Sequence, residues 1–263
     1  MRAPPEKASQ FLTAAGMIGA FPNDQQQHPN HMTTTTFPLS RSHNLDALAQ
    51  RLLWLSALCS AVYFITKAWQ PFPGSVVLKG LCIAPLAVIA FRTLKAPDNW
   101  LLGGALAFST LGDVFLDLRG MFVQGLAAFL IAHLIYVALF VRNWRRPVRL
   151  TSNHLTTLAA LLLFSLMLTL WLWPGLGKLE VPVLCYIGAI TLMVASAVIA
   201  RFRQSWIVWG AVLFLISDSM IGINRFKTPV PLRDYLVWAT YYFGQCGIAL
   251  GFLREKWEQD DFR

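Results

Sequence analysis

Two aspartates lie inside long apolar segments, where a carboxylate is costly to bury. Asp113 belongs to the segment GGALAFSTLGDVFLDL, and Asp218 belongs to the segment WGAVLFLISDSMIGIN. A charged side chain at the centre of a membrane-spanning helix costs about 2.5–3.5 kcal/mol even on insertion scales that give low values. We therefore interpret both residues as catalytic groups of an active site between helices.

Two carboxyl groups in one apolar cavity can divide an acid–base reaction between them. Burial favours the protonated form of a carboxyl group, and two neighbouring carboxyls do not readily ionise together. One protonated and one ionised carboxyl then form an acid–base pair at neutral pH. The structural alternative is an aspartate that caps a helix kink or binds a nearby serine. Because both aspartates are predicted at a matched depth, the functional interpretation is favoured.

Other polar side chains in the apolar segments are candidates for binding or orienting a substrate. These are Lys79, His133, Tyr136, Asn224, Tyr241 and Gln245. A lysine near the end of a span often extends to the membrane interface. In the functional interpretation, Lys79 is a cation that holds a lipid phosphate or changes the pKa of a nearby aspartate. His133 shares an aromatic stripe with Tyr136 and is expected about eight residues deeper than the aspartates, which favours a packing role.

Asp117 follows Asp113 by one helical turn and therefore shares its helix face. It lies close to the predicted outer end of its span and next to Arg119. We expect it at the interface, where water or a salt bridge reaches it.

Composition and hydropathy indicate a helical membrane protein. Of the 263 residues, 56% are apolar and 13% are charged, and the mean hydropathy is +0.52. Soluble domains carry about 25% charged residues. The apolar runs are about 17–20 residues long, enough to cross roughly 30 Å of hydrocarbon as a helix, and lack the two-residue alternation of a membrane barrel. The predicted fold class is an all-α polytopic transmembrane bundle.

The net charge of +9 does not indicate nucleic-acid binding, because the Lys and Arg residues lie in the connectors between apolar runs. His133 by itself is too few ligands for zinc. We predict neither a metal nor a cofactor. The cysteines have no metal-type spacing and are predicted to be free thiols within the spans. They are Cys59, Cys82, Cys185 and Cys246.

Turn-forming residues divide the chain into eight predicted spans. The spans are 51–69, 75–91, 99–118, 121–141, 154–173, 182–200, 206–223 and 235–253. An even number of spans places both termini on one side of the membrane. The termini and the connectors on that side hold thirteen Lys and Arg residues, and the opposite connectors hold six. The positive-inside rule therefore predicts cytosolic termini. The six are Lys67, Arg119, Lys178, Arg225, Lys227 and Arg233.

Three regions are expected along the chain. Residues 1–44 are rich in Pro, Gln, Asn and Thr and are predicted to be a disordered cytosolic tail. Residues 45–254 form the eight-helix domain, and residues 255–263 form a short charged tail. The third and seventh spans share a Gly-Ala start and an aspartate near the outer end, which fits a parallel 4+4 repeat; two unrelated Gly/Ala-rich helices would fit as well.

Five segments together resemble the YhhN family of eight-span membrane proteins, whose characterised members are lysoplasmalogenases. The segments are Lys79 to Pro85, FSTLGDVFL, FVQGLAAFLIAHLIYVALF, LFLISDSMIGINRF and YYFGQCGIAL, within residues 50–253. Asp117 and residues 1–44 are not part of the resemblance.

The resemblance implies hydrolysis of the vinyl-ether bond of a lysoplasmalogen to a long-chain aldehyde and glycerophosphoethanolamine or glycerophosphocholine. The substrate is a lysophospholipid and the surroundings are membrane lipid. The carboxyls Asp113 and Asp218 suit this chemistry, because an acid can protonate the vinyl ether and a carboxylate can stabilise the resulting cation. The sequence does not indicate an oligomeric state.

Two other interpretations remain open at the level of sequence. A proton- or ion-coupled transporter could use the aspartate pair as a relay, and a metal-dependent intramembrane lipid hydrolase would perform related chemistry. In each case the expected location is an integral, multi-pass position in a membrane, and the inner membrane in a bacterium.

Overall fold

The computed structural model describes residues 45–144, 148 and 150–261. This part of the chain forms eight α-helices and no strand. In chain order they are α1 (Ala47–Ile65), α2 (Ser75–Thr93), α3 (Asp98–Asp117), α4 (Phe122–Arg142), α5 (Ser152–Leu176), α6 (Glu180–Ala200), α7 (Ser205–Phe226) and α8 (Arg233–Asp261). The all-α prediction is confirmed. The predicted tail at residues 1–44 lies outside the described residues, as do residues 262 and 263.

Seven stretches of the described chain are long and apolar enough to cross a membrane, and one of them, Ser152–Ala200, contains both α5 and α6. The Ser165 Oγ and Thr191 Oγ1 atoms are 2.8 Å apart, although 26 residues of continuous helix would separate them by about 39 Å. The chain therefore reverses between α5 and α6. The reversal occurs at a 3₁₀ turn, Gly177–Leu179, which begins with a positive φ of 52°.

Glycines allow the helices around the aspartates to pack closely. A Cβ atom at Gly210 of α7 would lie 2.6 Å from the carbonyl oxygen of Gly244 of α8. A Cβ atom at Gly112 of α3 would lie 2.5 Å from the ring of Phe129 of α4. These contacts exclude any larger side chain, so they fix α8 against α7 and set Asp113, the neighbour of Gly112, against α4.

The last helix is longer than the sequence predicts. Residues 255–261, expected to belong to a charged tail, continue α8 to Asp261. Glu255 is 1% exposed, and its Oε2 accepts hydrogen bonds from the backbone N–H groups of Arg203 (2.7 Å) and Gln204 (3.1 Å). The carboxylate of Glu255 thus anchors the charged end of α8 to the backbone just before α7.

Large apolar side chains cover the outer surface of the bundle. Five tryptophans of the described residues are 64–76% exposed there: Trp54, Trp69, Trp100, Trp206 and Trp209. An apolar surface of this extent is unfavourable in water and suits contact with lipid. Together with the seven membrane-length stretches, it identifies a multi-pass membrane protein.

Candidate active site

Asp113 lies in a buried polar cluster formed by α2, α3 and α8. Its side chain is almost completely buried, with 3% of the residue exposed. Asp113 Oδ2 accepts a hydrogen bond of 2.6 Å from the hydroxyl of Tyr241, and Oδ1 lies 3.8 Å from Lys79 Nζ. Asp113 thus has one charged and one hydroxyl partner inside the bundle.

Asp117, the last residue of α3, belongs to the same cluster, and a salt bridge reaches it there. Lys79 Nζ donates a hydrogen bond of 2.8 Å to Asp117 Oδ1, and the Tyr63 hydroxyl donates one of 3.2 Å to Oδ2. The Asp117 side chain is 21% exposed. Tyr63 comes from α1, 54 residues away, and Lys79 comes from α2, 38 residues away. The sequence near Asp117 therefore could not indicate these partners. One ammonium group thus serves two carboxylates.

Asp218 lies in a second cluster, formed by α4, α6 and α7. Its Oδ2 atom accepts a short hydrogen bond from the Tyr186 hydroxyl and lies 3.7 Å from His133 Nε2. His133 is fully buried, and neither of its ring nitrogens has a hydrogen-bond partner among the described residues. Tyr186, which the sequence did not single out, is therefore the closest polar partner of Asp218.

His133 lies at the level of Asp218 and not deeper, which corrects the sequence-based expectation. Helix α7 continues to Phe226, so Asp218 lies eight residues before its end, a distance of about 12 Å. Helix α4 runs in the opposite direction, and its eleventh residue after Phe122 is His133. The longer α7 places Asp218 deeper in the bundle, within reach of the histidine.

Two phenylalanines lie between the clusters. The Phe214 ring is 4.8 Å from the ring of His133 and 5.2 Å from that of Tyr241. Phe129 is 6.0 Å from Phe214 and 5.8 Å from Tyr241. The aromatic pair of Phe129 and Phe214 therefore connects the cluster of Asp113 with that of Asp218.

The remaining predicted site residues fall into two places. The Tyr136 hydroxyl of α4 donates a hydrogen bond of 2.6 Å to Gln245 Oε1 of α8, and both side chains are fully buried. Gln245 lies one helical turn after Tyr241. Asn224 lies elsewhere, in the last turn of α7, where its Oδ1 accepts a hydrogen bond of 3.1 Å from the backbone N–H of Val230. This hydrogen bond holds the connection between α7 and α8 against the end of α7.

An apolar cavity opens between α4, α5, α6 and α7 and has Asp218 in its wall. Its polar lining consists of Asp218, Tyr186, Ser165 and Ser219, and the remaining lining is almost entirely aliphatic and aromatic. Phe129 also lines the cavity, so Asp113 is linked to it through Tyr241 and Phe129. Such a cavity suits a long hydrocarbon chain with one polar group beside the carboxyl.

The described residues contain no group of three or more His, Cys, Asp or Glu side chains placed to hold a metal ion. The polar groups present, two carboxyl clusters with tyrosine donors and one buried imidazole, are suited to proton transfer.

Comparison with known proteins decides the family. Residues 74–252 match the YhhN family, which is more than half of the chain. The chain belongs to the YhhN family. No solved structure matches it.

Several relatives in this family carry the name lysoplasmalogenase. The protein of that name from Mycobacterium bovis is 37% identical over 226 residues, covering 78% of this chain and 86% of the relative. Lysoplasmalogenase TMEM86B from Rattus norvegicus is 33% identical over 208 residues, covering 76% and 84%. The human TMEM86B lysoplasmalogenase is 31% identical over 222 residues, covering 79% and 90%. The likeness thus spans most of each protein.

Proposed function

We propose that this protein is an integral-membrane lysoplasmalogenase that hydrolyses the vinyl-ether bond of lysoplasmalogens. The observation that carries the proposal is the buried Asp218 carboxyl in the wall of an apolar cavity between helices. The names of the YhhN relatives support the substrate class. The products are a fatty aldehyde and a glycerophosphoethanolamine or glycerophosphocholine.

In this proposal Asp218 is the acid. Its Oδ2 is bound by Tyr186, which leaves Oδ1 to carry the proton that is transferred. The environment of Asp218 contains a histidine and a tyrosine, whereas Asp113 faces the ammonium group of Lys79. Because an adjacent cation favours the carboxylate and an apolar environment favours the acid, Asp218 is the protonated member of the pair and Asp113 the ionised one.

The reaction then proceeds by proton transfer to carbon. The Asp218 carboxyl protonates the β-carbon of the vinyl ether, and an oxocarbenium cation forms at the carbon bonded to oxygen. Water adds to this carbon and gives its proton to the Asp218 carboxylate, which restores the acid. The hemiacetal breaks its bond to the glycerol oxygen as its hydroxyl proton passes to that oxygen, releasing aldehyde and the glycerol product.

The other predicted site residues have supporting roles in this scheme. The negative charge of Asp113 stabilises the cation, and Lys79 and Tyr241 keep that carboxylate in place. His133 orients Asp218 or the attacking water. Tyr136 and Gln245 hold α4 and α8 together beneath the site. The mechanism as written requires no metal or cofactor.

Three substrates with one hydrocarbon chain length test the proposal. We expect purified protein in detergent to cleave the 1-alkenyl lysolipid and to leave the 1-alkyl ether intact, because only the alkenyl chain has a carbon that the acid can protonate. The 1-acyl lysolipid should also remain intact. Mass spectrometry of the aldehyde and the glycerophospho product measures the result. Cleavage of the ester or the alkyl ether at a similar rate would contradict the mechanism, and loss of activity on treatment with a chelator would indicate a metal-dependent hydrolase.

We further propose eight membrane crossings with both termini in the cytosol, in the inner membrane for a bacterial protein. The support is the reversal between α5 and α6, each of which is 21 residues or longer, and the distribution of Lys and Arg in the connectors. The parallel 4+4 repeat stays a proposal that rests on the sequence of α3 and α7.

Cysteine labelling tests this topology. We expect a cysteine at Lys178, in the turn after α5, to react with a membrane-impermeant maleimide applied to intact cells or spheroplasts. A cysteine at Lys95, in the connection before α3, should react only after the membrane is opened, because it lies on the cytosolic side. The background is a chain whose four native cysteines have been replaced by serine or alanine. Labelling of both positions from the same side would contradict the eight-span arrangement.

A further inference from the structure

We use the word mouth for the end of the apolar cavity formed by Phe122 and Phe226, where an arginine lies against an aromatic ring. Phe122 and Phe226, the first residue of α4 and the last of α7, both line the cavity, with ring centroids 6.3 Å apart in an edge-to-face arrangement. The guanidinium carbon of Arg225 lies 5.1 Å from the centre of the Phe122 ring. Arg225 is exposed. Stacking on the ring orients the guanidinium group at the mouth, where its N–H donors can bind a ligand.

Arg225 and Asp218 share one face of α7. They are seven residues apart, which is close to two full helical turns and places Arg225 about 10 Å from Asp218 along the helix axis. Asp218 lies in the cavity wall and Arg225 at its mouth, so one ligand can reach both side chains.

The spacing fits a lysophospholipid. Seven bonds connect the β-carbon of a 1-alkenyl chain to the phosphorus atom, through the ether oxygen and the three glycerol carbons. An extended path of that length spans about 8 Å, and the Arg225 side chain can close the remaining distance. A phosphate at the mouth would therefore place the vinyl ether beside Asp218 and the hydrocarbon chain deeper in the cavity.

The cation that the sequence offered for a phosphate is already used elsewhere. Lys79 is buried and binds Asp117 at 2.8 Å and Asp113 at 3.8 Å. Neither Lys79 nor Arg225 lines the cavity itself, but Arg225 lies against Phe122, which does. A phosphate at Lys79 would have to displace a carboxylate. Arg225, in contrast, is exposed and lies against the ring of Phe122, so a phosphate can approach it.

We propose that Arg225 binds the phosphate of the substrate, so that the enzyme prefers phospholipids and the vinyl ether lies beside Asp218. This inference rests on the proposed function. Arg225 recognises phosphate by paired, charge-assisted hydrogen bonds. The group beyond the phosphate lies outside the mouth and is not selected by this residue.

The test compares a lysoplasmalogen with the same 1-alkenyl glycerol lacking the phosphate. For Arg225→Gln we expect kcat/KM on the lysoplasmalogen to fall by roughly 10- to 100-fold, the effect of losing hydrogen bonds to a charged group. The rate on the alkenyl glycerol should remain at the wild-type value. Arg225→Lys should keep part of the activity, since it retains the charge and loses the paired geometry.

Lys227→Gln is the matched control, because it removes the same charge two residues further along, from another exposed position. We expect it to leave both rates unchanged. An equal loss for both substrates in Arg225→Gln, no loss for either, or an equal effect of Lys227→Gln would overturn the assignment.

A binding measurement separates this inference from the proposed function. The 1-alkyl lysophospholipid should raise the melting temperature of the wild-type protein in detergent, and Arg225→Gln should lose most of that rise. The phosphate-free 1-alkyl glycerol should stabilise both proteins equally. If the wild type cleaves neither alkenyl substrate, the proposed reaction is wrong, yet this binding difference still decides whether Arg225 holds a phosphate; equal stabilisation of the two proteins by the phospholipid would refute it.

Discussion

Purified Asp218→Asn protein should hydrolyse lysoplasmalogen about 10²- to 10⁴-fold more slowly than the wild type, the range typical of a lost general acid. An amide has nearly the shape of the carboxyl group but cannot protonate the β-carbon of the vinyl ether. The substitution also removes a buried ionisable group from the membrane-spanning part of the chain, so the fold should be kept or stabilised. Aldehyde release and the melting temperature in detergent measure the two effects.

Tyr186→Phe is the matched control for this prediction. It removes the hydroxyl that binds Asp218 Oδ2 and leaves the carboxyl group in place. We expect a smaller loss of turnover, since the acid remains and only its orientation is weakened. His133→Gln should likewise cost less than Asp218→Asn. Near-normal turnover in Asp218→Asn with normal stability would refute the assignment of Asp218 as the acid.

The sequence was sufficient to find both aspartates and the helices that hold them. A carboxylate in an apolar segment can be recognised from the sequence alone, because the apolar residues on both sides of it show that it will be buried, whichever partners it later finds. The predicted spans match the eight α-helices to within a few residues at most ends, as the Pro and Gly turns between apolar runs suggested. The main exception is α8, whose charged end binds backbone donors from a segment about 50 residues earlier.

The partners of the aspartates were harder to predict, because they are set by packing between helices distant in sequence. The sequence around Tyr186 did not indicate a functional role, and only the packing of α6 against α7 shows that its hydroxyl binds Asp218. The depth of His133 was misjudged because it depended on where α7 ends. A shift of three residues, about 5 Å of helix, was enough to bring Asp218 level with the histidine.

The division into two clusters could not have been derived from the sequence either. Matched aspartates on α3 and α7 predicted one shared site, and this convergence stays a prediction. Phe214 contacts both His133, which lies beside Asp218, and Tyr241, which binds Asp113. Only Asp218 lines the cavity directly. The two carboxyls therefore have different tasks in the proposed mechanism: one transfers protons, and the other acts through its charge.

Asp113→Asn tests the second of these tasks. We expect turnover to fall by about 10²-fold or more, because the amide keeps the hydrogen bond from Tyr241 but removes the negative charge that stabilises the cation. Lys79 keeps its closer partner, Asp117, at 2.8 Å, so the melting temperature should change little. The measurements are kcat for the lysoplasmalogen and thermal unfolding in detergent.

Two variants of the same cluster separate this charge effect from a loss of structure. Asp117→Asn should be nearly silent in turnover, because Lys79 retains Asp113 as an ionised partner 3.8 Å away. Lys79→Met should instead lower the melting temperature clearly, since it leaves the buried Asp113 and the partly exposed Asp117 without this cation, and breaking a buried ion pair costs about 3–5 kcal/mol. An equal collapse of turnover in Asp117→Asn and Asp113→Asn would show that the cluster acts as one unit and that Asp113 has no separate role. Near-normal turnover in Asp113→Asn would leave Asp218 as the only carboxyl in the reaction, because the cation would then form without the help of the second charge.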